Sequence, residues 1–199
     1  MGGGMAGMSL ASELAATHSV IVLEQEGQLA HHATGRSAAA FLESYGGPEV
    51  RALTRASRPL LEKAAVDAPL LAGRPLLWIG GPGREPAIAE MHRQQPRLRG
   101  LSPDDAQRMC SVLRTEWVAA AAVEPDAQDI DVAGLHQAYV REARRRGVTV
   151  SRHSRVSEAT YDGRSWRLRH GSGLASAGVV VDAAGAWADR VATLLGARP

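Results

Sequence analysis

The chain has little cysteine, no long apolar run and almost no excess of charge. Its 199 residues include one cysteine, Cys110, which excludes an internal disulfide and favours a reducing, cytoplasmic location. No apolar run reaches the about 20 residues of a membrane span. The first residues also lack the charged and apolar regions of a signal peptide. We therefore expect a cytoplasmic protein with no membrane span.

Several other classes of protein are excluded in the same way. A net charge of +2 without a long basic tract argues against nucleic acid as a partner. No Gly-x-Ser-x-Gly elbow occurs in the sequence, and nothing marks Cys110 as a nucleophile. The histidines are not spaced along the sequence as metal ligands are, and no cysteine or acidic residue lies at a matching interval. We therefore predict no metal site. The histidines considered are His31, His32, His136 and His153.

What the sequence does contain is a glycine fingerprint at its start. Gly2, Gly4 and Gly7 fit G-x-G-x-x-G, and Glu24 follows the apolar residues 20–23 at about the expected interval. In such a turn, glycines allow close approach of a pyrophosphate, and the helix that follows offers free N–H groups. A carboxylate at the end of the next strand accepts hydrogen bonds from ribose hydroxyls and repels a 2′-phosphate. The pattern favours FAD or NAD over NADP.

A buried strand normally precedes this fingerprint, but only Met1 precedes Gly2. We therefore expect the first strand of the sheet to be missing. The strands on either side of it would then have uncovered edges and exposed apolar surface.

Apolar periodicity and turn residues predict alternating helices and strands. Helices are predicted over residues 5–17, 48–65, 85–95, 103–109 and 184–195, and a further helix is capped by Asp131 and ends in the basic residues 144–146. Strands are predicted over residues 19–23, 75–79, 149–151, 155–161, 165–170 and 177–182. The order is strand and helix at both ends, with a mixed middle, which indicates an α/β dinucleotide-binding layer interrupted by another domain.

Three further segments contain short motifs that can be compared with those of known families. They are His-Ala-Thr-Gly-Arg-Ser-Ala-Ala-Ala at 32–40, Glu-Pro-Asp-Ala at 124–127, and Ala-Ala-Gly-Ala-Trp-Ala-Asp at 183–189. With the glycine fingerprint and Glu24, they resemble the FAD-dependent D-amino-acid oxidase family. This family includes glycine oxidase, sarcosine oxidase and D-amino-acid dehydrogenase. The resemblance runs from Gly2 to Pro199 in family order.

The resemblance implies a set of cofactor-binding residues. The pyrophosphate would lie against the turn and the first helical turn, and Glu24 would bind the adenosine ribose. The residues implied for the pyrophosphate are Gly2, Gly4, Met5, Ala6 and Gly7. Those implied for the pyrophosphate, ribityl chain and flavin edge are Thr34, Gly35, Arg36, Ser37 and Ala38. Val156 would pair with adenine through its backbone, and a second approach to the cofactor would be made by Ala184, Gly185 and Trp187.

Each of these positions also has an ordinary structural interpretation. Thr34 or Ser37 could cap a helix while Arg36 is solvated, and Trp187 could be a core residue. Tyr45 and Glu43 could line a substrate pocket or lie in an exposed loop. Asp182 stands where most relatives have asparagine.

The implied fold is a Rossmann-like FAD-binding layer with part of an α+β substrate domain. The expected domains are 1–45 and 131–199 for FAD binding, and 46–130 for a partial substrate or cap domain. Because relatives continue into the rest of the substrate sheet, we expect a chain truncated at both ends.

The implied function is FAD-dependent oxidation of the C–N bond of a small amino acid or secondary amine. The substrate would give a hydride to the flavin, and oxygen or an electron carrier would be the final acceptor. No catalytic side chain is identified. A non-catalytic flavin-binding remnant remains an alternative, as does an NAD-dependent dehydrogenase. The missing nicotinamide-side half and the 184–189 motif argue against the dehydrogenase.

Overall fold

The computed structural model describes residues 1–65, 68–95, 97–171 and 173–197. Residues 198 and 199, where the family resemblance ends, lie outside this part. The chain divides into two compact units. Unit 1 comprises Met1–Ala38 and Val132–Pro199, and unit 2 comprises Ala39–Asp131.

Helices and strands alternate along the described residues. The α-helices are α1 (Met5–Leu14), α2 (Pro48–Ala64), α3 (Glu85–Gln94), α4 (Pro103–Met109), α5 (Val132–Arg145) and α6 (Ala188–Leu194). The strands are β1 (Ile21–Leu23), β2 (Ala40–Phe41), β3 (Leu71–Gly73), β4 (Leu76–Gly80), β5 (Arg99–Leu101), β6 (Ala120–Glu124), β7 (Gln128–Ile130), β8 (Thr149–Ser151), β9 (Val156–Tyr161), β10 (Trp166–His170) and β11 (Gly173–Ala177).

The core of unit 1 joins the first 23 residues of the chain to residues beyond 131. Strands β1 and β8 pair in parallel with Val22 opposite Val150, and α1 packs against α5. The buried cluster includes Met8, Ala11 and Val140. Alanine lets the two helices approach closely, and each large apolar side chain that is buried stabilises the unit by about 1.5–3 kcal/mol.

Helix α5 ends as its sequence predicts. Arg144 and Arg145 lie in its last turn, where cations are favourable beside the helix dipole. Arg146 donates from Nη1 to the carbonyl of Ser12 at 2.7 Å. Gly147 follows with a φ of +82°, the left-handed conformation of a helix end. The basic run is therefore part of a helix terminus, as expected.

The predicted strand over 177–182 is wrong. The strand is β11, which pairs with β10 in an antiparallel sheet with β9. Residues 178–184 form no ladder, and Val179 is 78% exposed. A strand needs a continuous backbone partner. Met1 contacts the segment at two points: its amino group donates to Val181 O at 2.6 Å, and its carbonyl accepts from Ala183 N at 2.9 Å.

Two predicted helices are shorter than their periodicity suggests. Helix α1 ends at Leu14, so residues 15–17 form turns. The segment predicted as a helix from residue 184 begins with a 3₁₀ turn, Gly185–Trp187, and continues as α6. No described helix combines the length and the apolarity required to cross a bilayer.

Unit 2 consists mainly of two small antiparallel sheets, with strand orders β4-β6-β5 and β2-β7-β3. Helix α4 packs on the first sheet, where Ala106, Val118 and Ala121 are buried. Most of these strands were not predicted, because segments such as β6 and β3 consist largely of alanine and glycine. These residues have low β-propensity, so pairing with neighbours rather than local preference makes them strands.

Candidate functional site

Unit 1 contains a cleft with a volume of about 650 Å³, which is in the usual range for small-molecule sites. Its walls are the glycine turn, the end of β1, residues 30–34, the start of β9, and residues 183–187 with α6. Eight of the predicted site residues line it, namely Gly2, Gly4, Glu24, Thr34, Val156, Ala184, Gly185 and Trp187. Folding thus brings together residues that are distant in sequence.

The glycine turn is packed so tightly that two of its glycines have no room for a side chain. A Cβ on Gly2, whose φ is +103°, would lie 2.3 Å from the Ala183 carbonyl oxygen. A Cβ on Gly7 would lie 1.9 Å from the carbonyl oxygen of Gly2. Gly7 lies behind the cleft, and its role is to let α1 approach the turn.

The peptide of Gly3 is held from both sides. Its N–H donates to Glu24 Oε2 at 2.6 Å. Its carbonyl oxygen lies 2.9 Å from Nε2 of His136 and accepts from Ala30 N at 3.2 Å. Since a carbonyl only accepts, His136 carries its proton on Nε2. The turn is therefore fixed before any ligand arrives.

Glu24 is buried at the floor of the cleft, with 9% of the residue exposed. Besides the Gly3 bond, its Oε1 accepts from the N–H of Glu26 at 2.9 Å. An ionised carboxylate has about four acceptor positions. Glu24 thus keeps acceptor capacity toward the cleft while its orientation is set by the backbone.

The N-terminus of α1 starts at the edge of the cleft. Its first N–H groups have no partner within the helix and lie at the positive end of the helix dipole. One of them, Met5 N–H, donates to Thr34 Oγ1 at 3.0 Å. Thr34 therefore links residues 33–36 to this helix, and its own hydroxyl proton is free to be donated elsewhere.

The remaining predicted residues lie outside the lining of the cleft. Met5, Ala6 and Gly7 form the first turn of α1. Gly35, Arg36, Ser37 and Ala38 are exposed, in and just after the 3₁₀ helix Ala33–Arg36. Their assignment to a cofactor stays a prediction.

Asp182 does not place a free carboxylate against the cleft. Its Oδ1 accepts from Ala184 N at 3.0 Å, which closes the turn leading into the 3₁₀ helix Gly185–Trp187. The substitution of aspartate for asparagine keeps this acceptor.

Aromatic and ionisable side chains form one rim of the cleft. His32 donates from Nε2 to Glu26 Oε1 at 2.9 Å, and its ring lies 4.5 Å from that of Trp187. This hydrogen bond holds the pKa of the Glu26 carboxyl below its ordinary value. The ring of His31 lies 4.8 Å from that of His32 in an edge-to-face arrangement.

Sequence reasoning missed Gly3 and His136. Gly3 lies between the motif glycines, and only its backbone acts. His136 occupies a position on the apolar face of α5, and it is 2% exposed. A histidine in an otherwise apolar helix face was the available signal, because a buried imidazole requires a hydrogen-bonding partner.

We predict that His136→Leu lowers the free energy of unfolding by about 0.5–1.5 kcal/mol, because the Gly3 carbonyl loses one of its two donors and keeps that of Ala30. His136→Gln should restore much of this loss, since the glutamine amide can donate from a similar position. Chemical denaturation of the full chain measures both. Equal losses for the two variants would show that side-chain volume matters here rather than the hydrogen bond.

The family model for FAD-dependent oxidoreductases, named DAO, matches residues 1–199. The chain belongs to this FAD-dependent oxidoreductase family. NikD, an amino acid oxidase essential for nikkomycin biosynthesis, is similar at 26% identity and a TM-score of 0.82, over 99% of this chain and 53% of NikD.

Two other structures share the fold. Glycine oxidase from Geobacillus kaustophilus matches at 22% identity and a TM-score of 0.82, over 98% of this chain and 56% of that one. L-alpha-glycerophosphate oxidase from Mycoplasma pneumoniae, solved with FAD bound, matches at 16% identity and a TM-score of 0.84, over 98% and 55%. The chain thus spans about half the length of these family members.

Proposed function

We propose that the cleft of unit 1 binds FAD. We also propose that the chain functions as an oxidoreductase acting on the C–N bond of a small amino acid or secondary amine. The observation that carries this proposal is the Gly3–Glu24 bond of 2.6 Å. It places a glycine turn, a helix N-terminus and a buried carboxylate around one cleft. Family membership supports the choice of FAD over NAD.

The residues present fit such a cofactor. A pyrophosphate needs close approach to the backbone, and the glycines at positions 2 and 7 leave no space for side chains in the turn. It also needs positive potential, which the start of α1 provides. An adenosine ribose needs a hydrogen-bond acceptor, and Glu24 has that capacity.

Each part of the cofactor has a proposed partner. Gly2, Gly4 and the first turn of α1 would hold the pyrophosphate, and the Thr34 hydroxyl would donate a hydrogen bond to it. The backbone of Val156, at the start of β9, would pair with adenine. Gly185 and Trp187, which also line the cleft, would make a second approach to the cofactor. Residues 35–38, which follow Thr34 in the chain, would lie along the ribityl chain and the flavin edge.

When bound, FAD supplies an acceptor for a hydride from the carbon beside the amine. The described residues of this chain would bind and orient the cofactor. We assign none of them to proton transfer. The substrate class is an amine or amino acid, and the final acceptor is oxygen or an electron carrier. A single cysteine supports a reducing, cytoplasmic setting.

Titration of the full-length chain with FAD tests the binding step. We expect saturable quenching of flavin fluorescence and a protein-bound flavin spectrum after gel filtration. NADH should not displace the flavin at equal concentration. A folded chain that leaves FAD free in solution would contradict the proposal.

Anaerobic mixing of the FAD-loaded chain with candidate substrates tests the reaction. D-amino acids, glycine and sarcosine should bleach the flavin absorption, whereas glycerol 3-phosphate, which has no amine, should not. Bound flavin that none of the amines reduces would favour the non-catalytic remnant. Reduction by glycerol 3-phosphate alone would reassign the substrate to an alcohol.

A further inference from the structure

Three potential metal ligands meet at the rim of unit 1. They are Glu26, His31 and His32, which we call the rim triad. One ligand atom from each residue lies within 4.8 Å of those of the other two. The sequence pattern predicts no metal site because it shows no acidic partner in phase with the histidines. Folding supplies that partner, since Glu26 is hydrogen-bonded to His32.

The backbone of the rim triad is held by the rest of the unit. Glu26 N–H donates to Glu24 Oε1 at 2.9 Å, and the Glu26 carbonyl accepts from His153 N at 3.1 Å. Ala30, just before the two histidines, has a φ of +57° and donates its N–H to Gly3 O. The chain therefore reverses at Ala30 and returns His31 and His32 to Glu26.

The chemistry of the three side chains matches a borderline divalent ion. Imidazole nitrogen and carboxylate oxygen are ligands for Zn²⁺, and imidazole also suits Cu²⁺ and Ni²⁺. The triad thus offers one carboxylate and two imidazoles to a cation.

Small side-chain movements would complete the geometry. With bonds of about 2.0–2.1 Å, the ligand atoms of a tetrahedral zinc ion lie about 3.3 Å from one another. The His32–Glu26 pair at 2.9 Å must open slightly, and the widest pair must close by about 1.5 Å. The exposed His31 ring has the freedom to rotate inward. Gln25 also donates to Glu26 Oε1, at 3.1 Å, and among the described residues none donates to Oε2.

We propose that the rim triad binds one divalent transition-metal ion of the zinc class, with a coordination position left open. The ion replaces the His32–Glu26 hydrogen bond and fixes His31 and His32 in the wall of the cleft, where both residues lie. This site does not depend on the proposed flavin chemistry.

Calorimetric titration of the flavin-free, full-length chain with Zn²⁺ tests the proposal. We expect one Zn²⁺ per chain, and Co²⁺ should give the visible absorption bands of a tetrahedral site. His31→Asn, His32→Asn and Glu26→Gln should each weaken binding at least about tenfold. His31 is exposed, so its variant is the one expected to keep the fold of the parent chain.

His18→Asn is the matched control, because His18 is exposed, also lies in unit 1, and its side chain bonds only that of its neighbour Thr17 among the described residues. It should bind zinc as the parent chain does. Zinc affinity that is unchanged in His31→Asn and Glu26→Gln would overturn the proposal, as would the absence of a saturable site. The titration contains no flavin, so failure of FAD binding cannot produce either result.

Discussion

Gly7→Ala should lower the FAD affinity of the chain by about a hundredfold, which corresponds to about 2.8 kcal/mol. The new methyl group would lie 1.9 Å from the carbonyl oxygen of Gly2 and 3.0 Å from its carbonyl carbon. Both are backbone atoms, so no side-chain rotation relieves the clash. Either α1 or the turn must shift, and the N–H groups at the start of α1 then leave their positions.

The same substitution should reduce the free energy of unfolding by about 1–3 kcal/mol, the usual cost of overpacking. Thermal unfolding and flavin titration of the same preparation give the two effects. Gly178→Ala is the matched control, because a Cβ at that position meets nothing within 4 Å. It should change stability by less than about 0.5 kcal/mol. Parent-like flavin affinity in Gly7→Ala would show that the turn is looser than described.

Glu24→Ala should have the second large effect. It removes the acceptor for two backbone N–H groups, those of Gly3 and Glu26, and each buried donor left without a partner costs about 1–3 kcal/mol. The proposed ribose contact is lost as well. We expect a clear drop in the unfolding midpoint and at least a tenfold loss of FAD affinity.

Two further variants separate these causes. Glu24→Gln keeps one acceptor oxygen, so its stability should fall between those of the parent chain and Glu24→Ala. Glu13→Ala removes an exposed carboxylate from α1 and should leave both properties nearly unchanged. If Glu24→Ala binds FAD as tightly as Glu13→Ala does, the carboxylate has no part in cofactor binding.

The extent to which the fold follows from the sequence differs between the units. Helix α2 and helix α5 could be predicted from apolar spacing and end signals. The Asp162-Gly163 pair also predicts a hairpin turn, and it lies between the antiparallel strands β9 and β10. The strands of unit 2 could not, since β6 is Ala-Ala-Ala-Val-Glu and becomes a strand only through β4 and β5. The prediction over 177–182 is wrong for the opposite reason: its residues favour a strand, but beyond Ala177 they have no strand partner in the part of the chain that the structure describes.

The candidate site shows a similar division. Motif residues such as Gly2, Glu24 and Trp187 could be selected from spacing and family resemblance, and they line the cleft. The supporting contacts could not, because they join residues far apart in the chain. His136 and Gly3 are separated by 133 positions, and no local pattern links them. The domain boundary predicted at 45 also differs from the end of the first segment of unit 1, Ala38.

This separation also determines when the cleft can be built during synthesis. Residues 5–23 complete their core only with α5 and β8, which the ribosome makes after the whole of unit 2. Long-range closures of this kind are slow, and domains made earlier can fold as units while the chain is still growing. Unit 2 can therefore fold first, whereas the glycine turn lacks its hydrogen bond from His136 until α5 has left the exit tunnel.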